Sequence, residues 1–430
     1  MDVAAPSSPL AIRDFRFYWL SRFAAVLSTM AMVVIIAYQV YDVARAQYGM
    51  SVRDASFYLG LVGLAQFLPL FLLTPVAGYV ADRFERRTVV RLANLIDAGV
   101  AVTLAVLNQT GALSLPILFA MAALHGVARV FIGPASSAIA PNIVPPAMLP
   151  RAIAMSSIAW QSASVAGPAL GGFLYAVDPS LPYWVAAIGL FLATVFISFV
   201  KPVVPPPMTG ERRPVQQMVD GVRYVGRHRF LLGAITLDLF AVLLGGATAM
   251  LPVYARDILH VGTEGLGLLR AAPAVGAAAV ALLFAFRPLK HNVGVKMLWA
   301  VAGFGLMTVI FGWSTSMPLS LLVLALLGGF DMLSVYVRSS LVQLHTPDAM
   351  RGRVSSVSGL AISASNELGE LQSGLFAALL GPVGAVVFGG FAAFGIAGLW
   401  SILFPELRRA RTFDPPPAAL PDAVMQEKPA

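Results

Sequence analysis

Apolar residues follow one another along this chain in twelve segments of roughly 20 residues, with polar stretches between them. A helix of about 20 apolar residues crosses the hydrocarbon core of a bilayer. The runs are continuous, and they are too long for the alternating strands of a membrane β-barrel. The pattern therefore predicts an all-α membrane protein with twelve transmembrane helices. We number the spans 1 to 12 and place them near residues 17–40, 57–80, 88–107, 114–135, 152–176, 182–200, 230–254, 265–286, 296–313, 318–341, 354–379 and 384–404.

The longest polar stretch, residues 201–229, is rich in proline and then in arginine, and we interpret it as a cytoplasmic linker. It separates two bundles of six helices. The tail beyond Arg411 is rich in proline, alanine and charge, so we predict that it is disordered. The predicted parts are an N-terminal tail at 1–16, bundles at 17–200 and 230–404, and a C-terminal tail at 405–430.

The two halves also resemble each other in sequence. At an offset of 202 residues, Gly126 corresponds to Gly328 and Gly172 to Gly374. Such duplicated six-helix halves are typical of secondary transporters, in which the binding site lies near the membrane midplane between the halves.

Composition and charge agree with this topology. Hydrophobic residues make up 58% of the chain and charged residues only 12%, which excludes an ordinary soluble domain. Of the 29 Lys and Arg, 22 lie in the tails or in every second gap, so the positive-inside rule predicts that both termini are cytoplasmic. The net charge of +8 is scattered over several loops and does not indicate nucleic-acid binding.

The sequence offers nothing for an enzyme to use. It has no cysteine, which excludes disulfides, thiolate metal sites and a cysteine nucleophile. The five histidines lie far apart in the sequence, and the chain contains no HExxH, GxSxG or phosphate-binding loop motif. We therefore predict no enzymatic activity, no cofactor and no metal site.

The loop between spans 2 and 3 runs from Gly78 through Asp82 and Arg83 to Arg87, and it resembles the signature loop of the major facilitator superfamily. Asp82 lies at a helix end and could pair with Arg86 one turn further on, or face the positive N-terminus of another helix; either contact suits a gate that breaks when the halves move. Glu85 stands where the family has glycine. A basic loop that only fixes the topology is the alternative. The candidate gating residues are Gly78, Asp82, Arg83, Arg86 and Arg87.

Span 5 contains a second motif, which resembles the antiporter motif of drug–proton exporters. Glycine lets helices approach closely, and proline bends a helix by removing one hydrogen bond. Ordinary tight packing is the alternative, and it is compatible with a transport role. The motif residues are Gly167, Pro168, Gly171 and Gly172.

The few charged residues inside the spans are the candidates for binding protons and substrate. Arg129 in span 4, with Gly133, resembles another exporter motif, and Asp331 takes the equivalent place in span 10. A cation and an anion on opposite cavity walls would suit a substrate and proton site, whereas a fixed structural ion pair is the alternative. The candidates are Arg129, Asp238, Asp331, Glu367 and Glu370, and Asp97 is a weaker one.

Two of these acids, Glu367 and Glu370, are three residues apart and so share one helix face. Two carboxylates in one buried site can hold a proton near neutral pH. Arg270 and Arg338 could each pair with a nearby acid, or extend to an interface.

Together with these motifs, the stretches 237–248, 267–276 and 365–374 resemble the bacterial enterobactin-exporter-like group of the major facilitator superfamily. The resemblance runs from about residue 13 to 404. It implies a monomer in the bacterial inner membrane that exports a siderophore or an amphiphilic drug by proton antiport. Proton-coupled uptake with the same fold stays open. Aromatic residues that could stack on a ligand, or only pack, are Trp160, Phe240, Tyr254 and Tyr336.

Overall fold

The computed structural model describes residues 8–203, 214–287 and 289–413. In these residues, ten helical stretches are long and apolar enough to cross a membrane. One stretch, Met350–Leu403, contains two spans, and the helix Leu149–Val177 adds another, which gives the twelve that the sequence predicts. The predicted disorder after Arg411 concerns mainly residues 414–430, which lie outside the described residues together with 1–7 of the N-terminal tail and 204–213 of the linker.

We label the twelve helices α1 to α12 in chain order. Their bounds are α1 Arg13–Ala46, α2 Val52–Arg83, α3 Arg86–Gln109, α4 Leu115–Ser137, α5 Leu149–Val177, α6 Leu181–Ser198, α7 Arg229–Leu244, α8 Gly262–Phe286, α9 Val293–Trp313, α10 Met317–Leu344, α11 348–380 and α12 382–403. Shorter helices occupy Pro9–Ala11, Ala140–Ile143, Pro146–Met148, Pro214–Arg227, Ala247–Met250, Leu251–Val253, Tyr254–Ile258 and Pro405–Arg409.

Glycine and proline break the helical backbone at two places in the second half. After α7 ends, the chain passes Gly245 and Gly246 and continues in short turns to Ile258. Between α11 and α12 only Gly381 is non-helical, with φ 80° and ψ 162°, and Pro382 follows it. Glycine adopts this positive φ without strain, and proline suits the first turn of the helix that follows.

The first six helices pack mainly on one another, as do the last six, and the halves meet along two seams. One seam joins α2 to α11, and a Cβ added at Gly60 would lie only 2.7 Å from the Cα of Gly374. The other joins α5 to α8, where a Cβ at Gly172 would lie 2.9 Å from the Cα of Gly267. Small residues let these backbones approach closely, as in many membrane helix pairs.

The two ends of the bundle differ in how the halves meet. We call the end with the α2–α3 loop and the Pro214–Arg227 helix the linker face, and the opposite end the sealed face. Toward the sealed face a single hydrophobic core contains residues of both halves, such as Tyr41 and Leu266. Toward the linker face the core divides into one cluster for each half. The halves are therefore joined at the sealed face and separated at the linker face.

Charged residues reinforce the sealed face. At the end of α1, the hydroxyl of Tyr41 donates a 2.5 Å hydrogen bond to Asp257 of the second half, and Arg45 lies 3.4 Å from the same carboxylate. A second pair has the charges reversed: Asp42 of the first half pairs with Arg256 of the second half. We call these five residues the sealed-face latch.

We expect Gly276→Ala to destabilise the second half, because its Cβ would lie 1.7 Å from the carbonyl oxygen of Ala325 on α10. The overlap forces α8 and α10 apart and should lower the free energy of unfolding by about 1–3 kcal/mol. Thermal unfolding in detergent measures this. Gly99→Ala is the control, since its Cβ meets no atom within 4 Å. Equal unfolding temperatures for the two variants would contradict the expected overlap.

Candidate transport site

A charged contact joins the halves near the middle of the helices. Arg129 on α4 donates hydrogen bonds to the side-chain oxygen of Gln66 on α2, at 2.9 Å, and to Glu367 on α11, at 3.4 Å. One turn earlier on α4, a Cβ at Gly126 would lie 2.8 Å from the carbonyl oxygen of Gln66. This close helix contact brings the guanidinium group to Gln66 and to the second half.

The second acid on this face of α11 lies beside the same contact. A Cβ added at Gly63 of α2 would lie 2.7 Å from the Cβ of Glu370 and 3.1 Å from its Oε2. Arg270 of α8 lies close enough to Glu370 and Glu367 for their charges to act on it. Arg129 contacts Glu367 at this point, and Arg270 and Glu370 lie near enough to interact with that contact by charge; we call Arg129, Arg270, Glu367 and Glu370 the central charge cluster.

The other two candidate acids lie within the second half. Asp238 on α7 is 3.1 Å from Arg338 on α10, and the side chains are only 8% and 4% exposed. Asp331 lines the same small cavity as Asp238, together with Phe304 and Ser334. Arg338 therefore pairs with a buried acid rather than extending to an interface.

The structure does not bring Arg129 and Asp331 together. Arg129 reaches Glu367 on α11, while Asp331 stays beside Asp238 and Arg338. The repeat correctly places both residues on equivalent helices. The repeat does not predict which neighbouring helix each of the two side chains approaches.

The gating loop differs from the expected ion pair. Asp82 is exposed and has no ionic partner among the described residues, whereas Arg86 donates to the carbonyl oxygen of Ala138 at 3.1 Å. Arg87 donates to Val200 at 2.7 Å, so this arginine also binds backbone within its own half. The predicted Asp82–Arg86 pair is therefore wrong for this conformation. Gly78 has open space around it, and the guanidinium carbon of Arg83 lies 5.6 Å from the ring centre of Tyr79.

Glu85 explains why the family's glycine is not needed in this loop. Its φ is −58°, which any residue adopts, and its carboxylate caps α3 by accepting the backbone N–H of Thr88 at 3.0 Å. It also accepts the N–H of Val203 at 3.2 Å, which ties the loop to the start of the linker. Burial raises the pKa of Glu85, but hydrogen bonds from the Thr88 hydroxyl and the Val203 N–H, together with the charge of Arg87, outweigh it and hold the pKa below its usual value.

The antiporter-motif residues hold α5 between two other helices. A Cβ at Gly167 would lie 2.7 Å from the carbonyl oxygen of Leu27 on α1, and one at Gly171 would lie 3.2 Å from the Cβ of Ala31. Gly172 faces the opposite way, toward α8, and Pro168 lies inside the helix. The motif thus forms part of the seam between the halves.

An open cavity lies between α1, α4 and α5 on the side of the linker face. Its walls include Arg22, Thr29, Arg129 and Trp160. Trp160 is 44% exposed, and of the four aromatic candidates it alone is among the residues that line this cavity. The others contact protein: Phe240 lies against Trp400, Tyr336 against Phe284, and Tyr254 donates to Gly312.

One polar pair was missed by the sequence analysis. Asp97 on α3 is fully buried, and its carboxylate lies 2.6 Å from Nδ1 of His125 on α4. Asp97 was ranked low because span 3 tends to be peripheral, and His125 was dismissed among scattered histidines. An ionisable residue near the middle of each of two neighbouring spans was the signal that could have found the pair.

The geometry is that of a two-bundle transporter, and comparison with known sequences agrees. The sequence profile of the transmembrane secretion effector family, a branch of the major facilitator superfamily, matches residues 4–424. The chain belongs to this family. It is a transporter of the major facilitator superfamily and not an enzyme.

Relatives of this major facilitator chain include enterobactin exporters. It is 28% identical over 415 residues to the enterobactin exporter EntS of Citrobacter koseri, with 95% of each chain covered. It is 27% identical over 406 residues to EntS of Escherichia coli O1:K1, covering 93% of this chain and 94% of that one.

Solved structures share its fold at low sequence identity. The peptide transporter PepTSo matches with a TM-score of 0.72 at 12% identity, over 93% of this chain and 99% of that one. An inward-facing bacterial homologue of the human lysosomal transporter Spinster matches with a TM-score of 0.68 at 14% identity, over 94% and 98%.

We expect Asp238→Asn to destabilise this major facilitator fold strongly, because Arg338 would stay buried with its ionic partner removed. Breaking a buried pair on one side costs about 3–5 kcal/mol. The double variant with Arg338→Gln should recover part of the loss, since it leaves no unpaired charge. Tryptophan fluorescence during thermal unfolding measures the change.

Asp220→Asn is the control for this comparison. Its pair with Arg353 spans 3.5 Å, and both side chains are more than a third exposed, Asp220 at 34% and Arg353 at 39%. Such a pair contributes less than about 1 kcal/mol. If Asp238→Asn unfolds no earlier than Asp220→Asn, the buried pair does not have the importance assigned to it.

Proposed function

We propose that this protein exports a small organic molecule from the bacterial cytoplasm in exchange for protons, by alternating access. The observation that carries the proposal is the Arg129–Glu367 contact. It joins the halves beside a cavity that opens at the linker face, while the opposite face is closed. A charged contact at that position can respond both to a proton and to a substrate.

Basic residues assign the linker face to the cytoplasm. The basic segment from Arg83 to Arg91 and the helix Pro214–Arg227 lie at this face, and the positive-inside rule favours a cytoplasmic position for such segments. Both termini then lie in the cytoplasm of a bacterial inner membrane. The described conformation is accordingly inward-facing.

Opening to the outside requires the sealed-face latch to break and the linker face to close. The exposed carboxylate of Asp82 is available for this step, because in the inward-facing state the described residues give it no ionic partner. We propose that Asp82 binds the second half when the linker face closes. This would give the signature loop its gating role.

Protonation supplies the drive in this scheme. A proton on Glu367 removes the negative charge that attracts Arg129 and so weakens the contact between the halves, which would release substrate outward. Glu370 belongs to the same cluster, and Asp238 and Asp331 are further proton candidates in the second half. Exchange follows if proton binding and substrate binding exclude each other.

The cavity suits a ligand that has both an aromatic ring and oxygen atoms. Trp160 offers a ring face, and Arg22 and Arg129 offer hydrogen-bond donors for anionic or phenolic oxygen. The named relatives are enterobactin exporters. We therefore propose a siderophore as substrate, with an amphiphilic drug or metabolite as the second possibility.

The latch can be tested by distance measurements, because the chain has no cysteine of its own. Spin labels at Arg53→Cys on α2 and Glu264→Cys on α8 report on the sealed face, where both positions are exposed. We expect Asp257→Asn to add a population with longer label-to-label distances in double electron–electron resonance, since Tyr41 and Arg45 lose their charged partner. Asp178→Asn is the control, because its hydrogen bonds to Ser180 stay within the first half. An unchanged distance distribution in Asp257→Asn would rule out the latch.

The transport function is tested by mass spectrometry of medium and cell extract from an iron-starved deletion strain, its parent and a complemented strain. We expect a catecholate or other iron chelator to accumulate inside the mutant and to be depleted outside. Unchanged secretion would reject the siderophore and direct the search to dye efflux. Net uptake in right-side-out vesicles under an inward proton gradient would replace export by import.

A further inference from the structure

A pair of ionisable side chains is enclosed within the first half, away from the central charge cluster. His125 and Asp97 are each 0% exposed, and their Nδ1 and Oδ1 atoms are 2.6 Å apart. The hydroxyl of Thr29 on α1 donates to the other carboxylate oxygen of Asp97 at 3.3 Å. Three helices thus contribute to one polar site in an otherwise apolar bundle.

The hydrogen bonding of this site is incomplete among the described residues. Nε2 of His125 is buried and has no partner, and one turn from Asp97 both polar atoms of the Asn94 side chain are also buried without partners. Each unsatisfied buried polar group costs about 1–3 kcal/mol. Apolar side chains would pack α3 against α4 without that cost, so packing alone does not account for these residues.

The free nitrogen gives the pair two charge states. At 2.6 Å a proton lies between Nδ1 and the carboxylate, and with this proton alone the pair carries one negative charge. A second proton binds at Nε2, and the pair then has an imidazolium beside a carboxylate and no net charge. Proton uptake therefore changes the local charge by one unit in a dry interior, where charge interactions are strong.

The nearest ionisable residue along α4 is Arg129, which lies one helical turn after His125 and so projects on the same side. From α1 the site faces Thr29, with Arg22 further along the same cavity wall. On α3 the next ionisable residue is Arg91. Gln66 is the polar residue that α2 presents at this level, and α6 brings only Tyr183, which donates to Gln39.

Thr29 also connects the pair to the open cavity. It lines the same cavity as Arg129 and holds Asp97 by its hydroxyl group. A proton from the aqueous cavity therefore has a short polar route, past Thr29, to a site that is otherwise enclosed.

We propose that the Asp97–His125 pair is a second proton-binding site of the transport cycle, housed in the first half, and that its charge controls Arg129. When the pair is negative it attracts the guanidinium group into the first half. When it is neutral, Arg129 is drawn more strongly to Glu367, and the halves are held together. This inference rests on the proposed proton coupling, and it names the residues by which the first half would take part.

Proton binding can be measured on the protein without any substrate. In nanodiscs with ¹⁵N-labelled histidine, the resonance that disappears in His125→Gln identifies His125. We expect it to change with pH when spectra are recorded between about pH 5 and about pH 8, the range in which histidine charge commonly changes in proteins. Asp97→Asn should alter this response, because the carboxylate in contact with Nδ1 is removed. A His125 signal that stays in one form over this range in the wild-type protein overturns the proposal, whether or not the variants fold.

The control of Arg129 has its own measurement. Distances between labels at Arg53→Cys and Glu264→Cys should change with pH at the midpoint found for His125. They should lose this dependence in His125→Gln and keep it in His228→Gln, because the His228 ring lies at the linker face, 4.0 Å from the ring of Tyr224. A merely structural pair would leave the pH dependence intact in His125→Gln, and that result overturns the proposal.

The proton site and the proposed export function can be tested separately. A titrating His125 in a protein whose deletion leaves every chelator and dye flux unchanged rejects export and keeps the proton site. Proton-driven efflux with an inert His125 keeps export and rejects the site.

Discussion

The cost of placing charge in a membrane governs the interior of this protein. A charged side chain inside the bilayer is stable only when a partner or water compensates it. Asp238 accordingly pairs with Arg338, Glu367 with Arg129, and Asp97 with His125. Each pair joins different helices, so the same constraint that makes these residues rare also fixes which helices must stay adjacent. Of these three buried pairs, Arg129–Glu367 is the one that crosses between the halves, which makes it the one most exposed to a change of conformation.

Glycine supplies the complementary constraint at the seams. Gly60 against Gly374 and Gly172 against Gly267 allow the halves to touch backbone to backbone at the sealed face. At these two contacts small residues take the place of long side chains, so the backbones themselves define the fit. Two kinds of interaction therefore hold the halves together at the sealed face. The ion pairs at the helix ends depend on charge, and the glycine contacts below them depend on shape.

Much of the fold was predictable because hydrophobicity along a chain reports depth in the membrane. The twelve spans, the linker and the acids inside the spans follow from that. The partners did not, because a one-dimensional pattern does not show which way a side chain turns: Arg129 approaches Glu367 rather than Asp331, and Asp97 meets His125. The Asp82–Arg86 pair failed for a local reason, since Arg86 binds a backbone carbonyl and Asp82 faces solvent.

The joint at Gly381 has a mechanical consequence. The loop between α1 and α2 contains five residues, 47–51, whereas α11 and α12 are connected through one non-helical residue. A connection of one residue leaves little freedom between the two helices, so α12 must move whenever α11 tilts. The α11–α12 pair would then move as a single body within the second half.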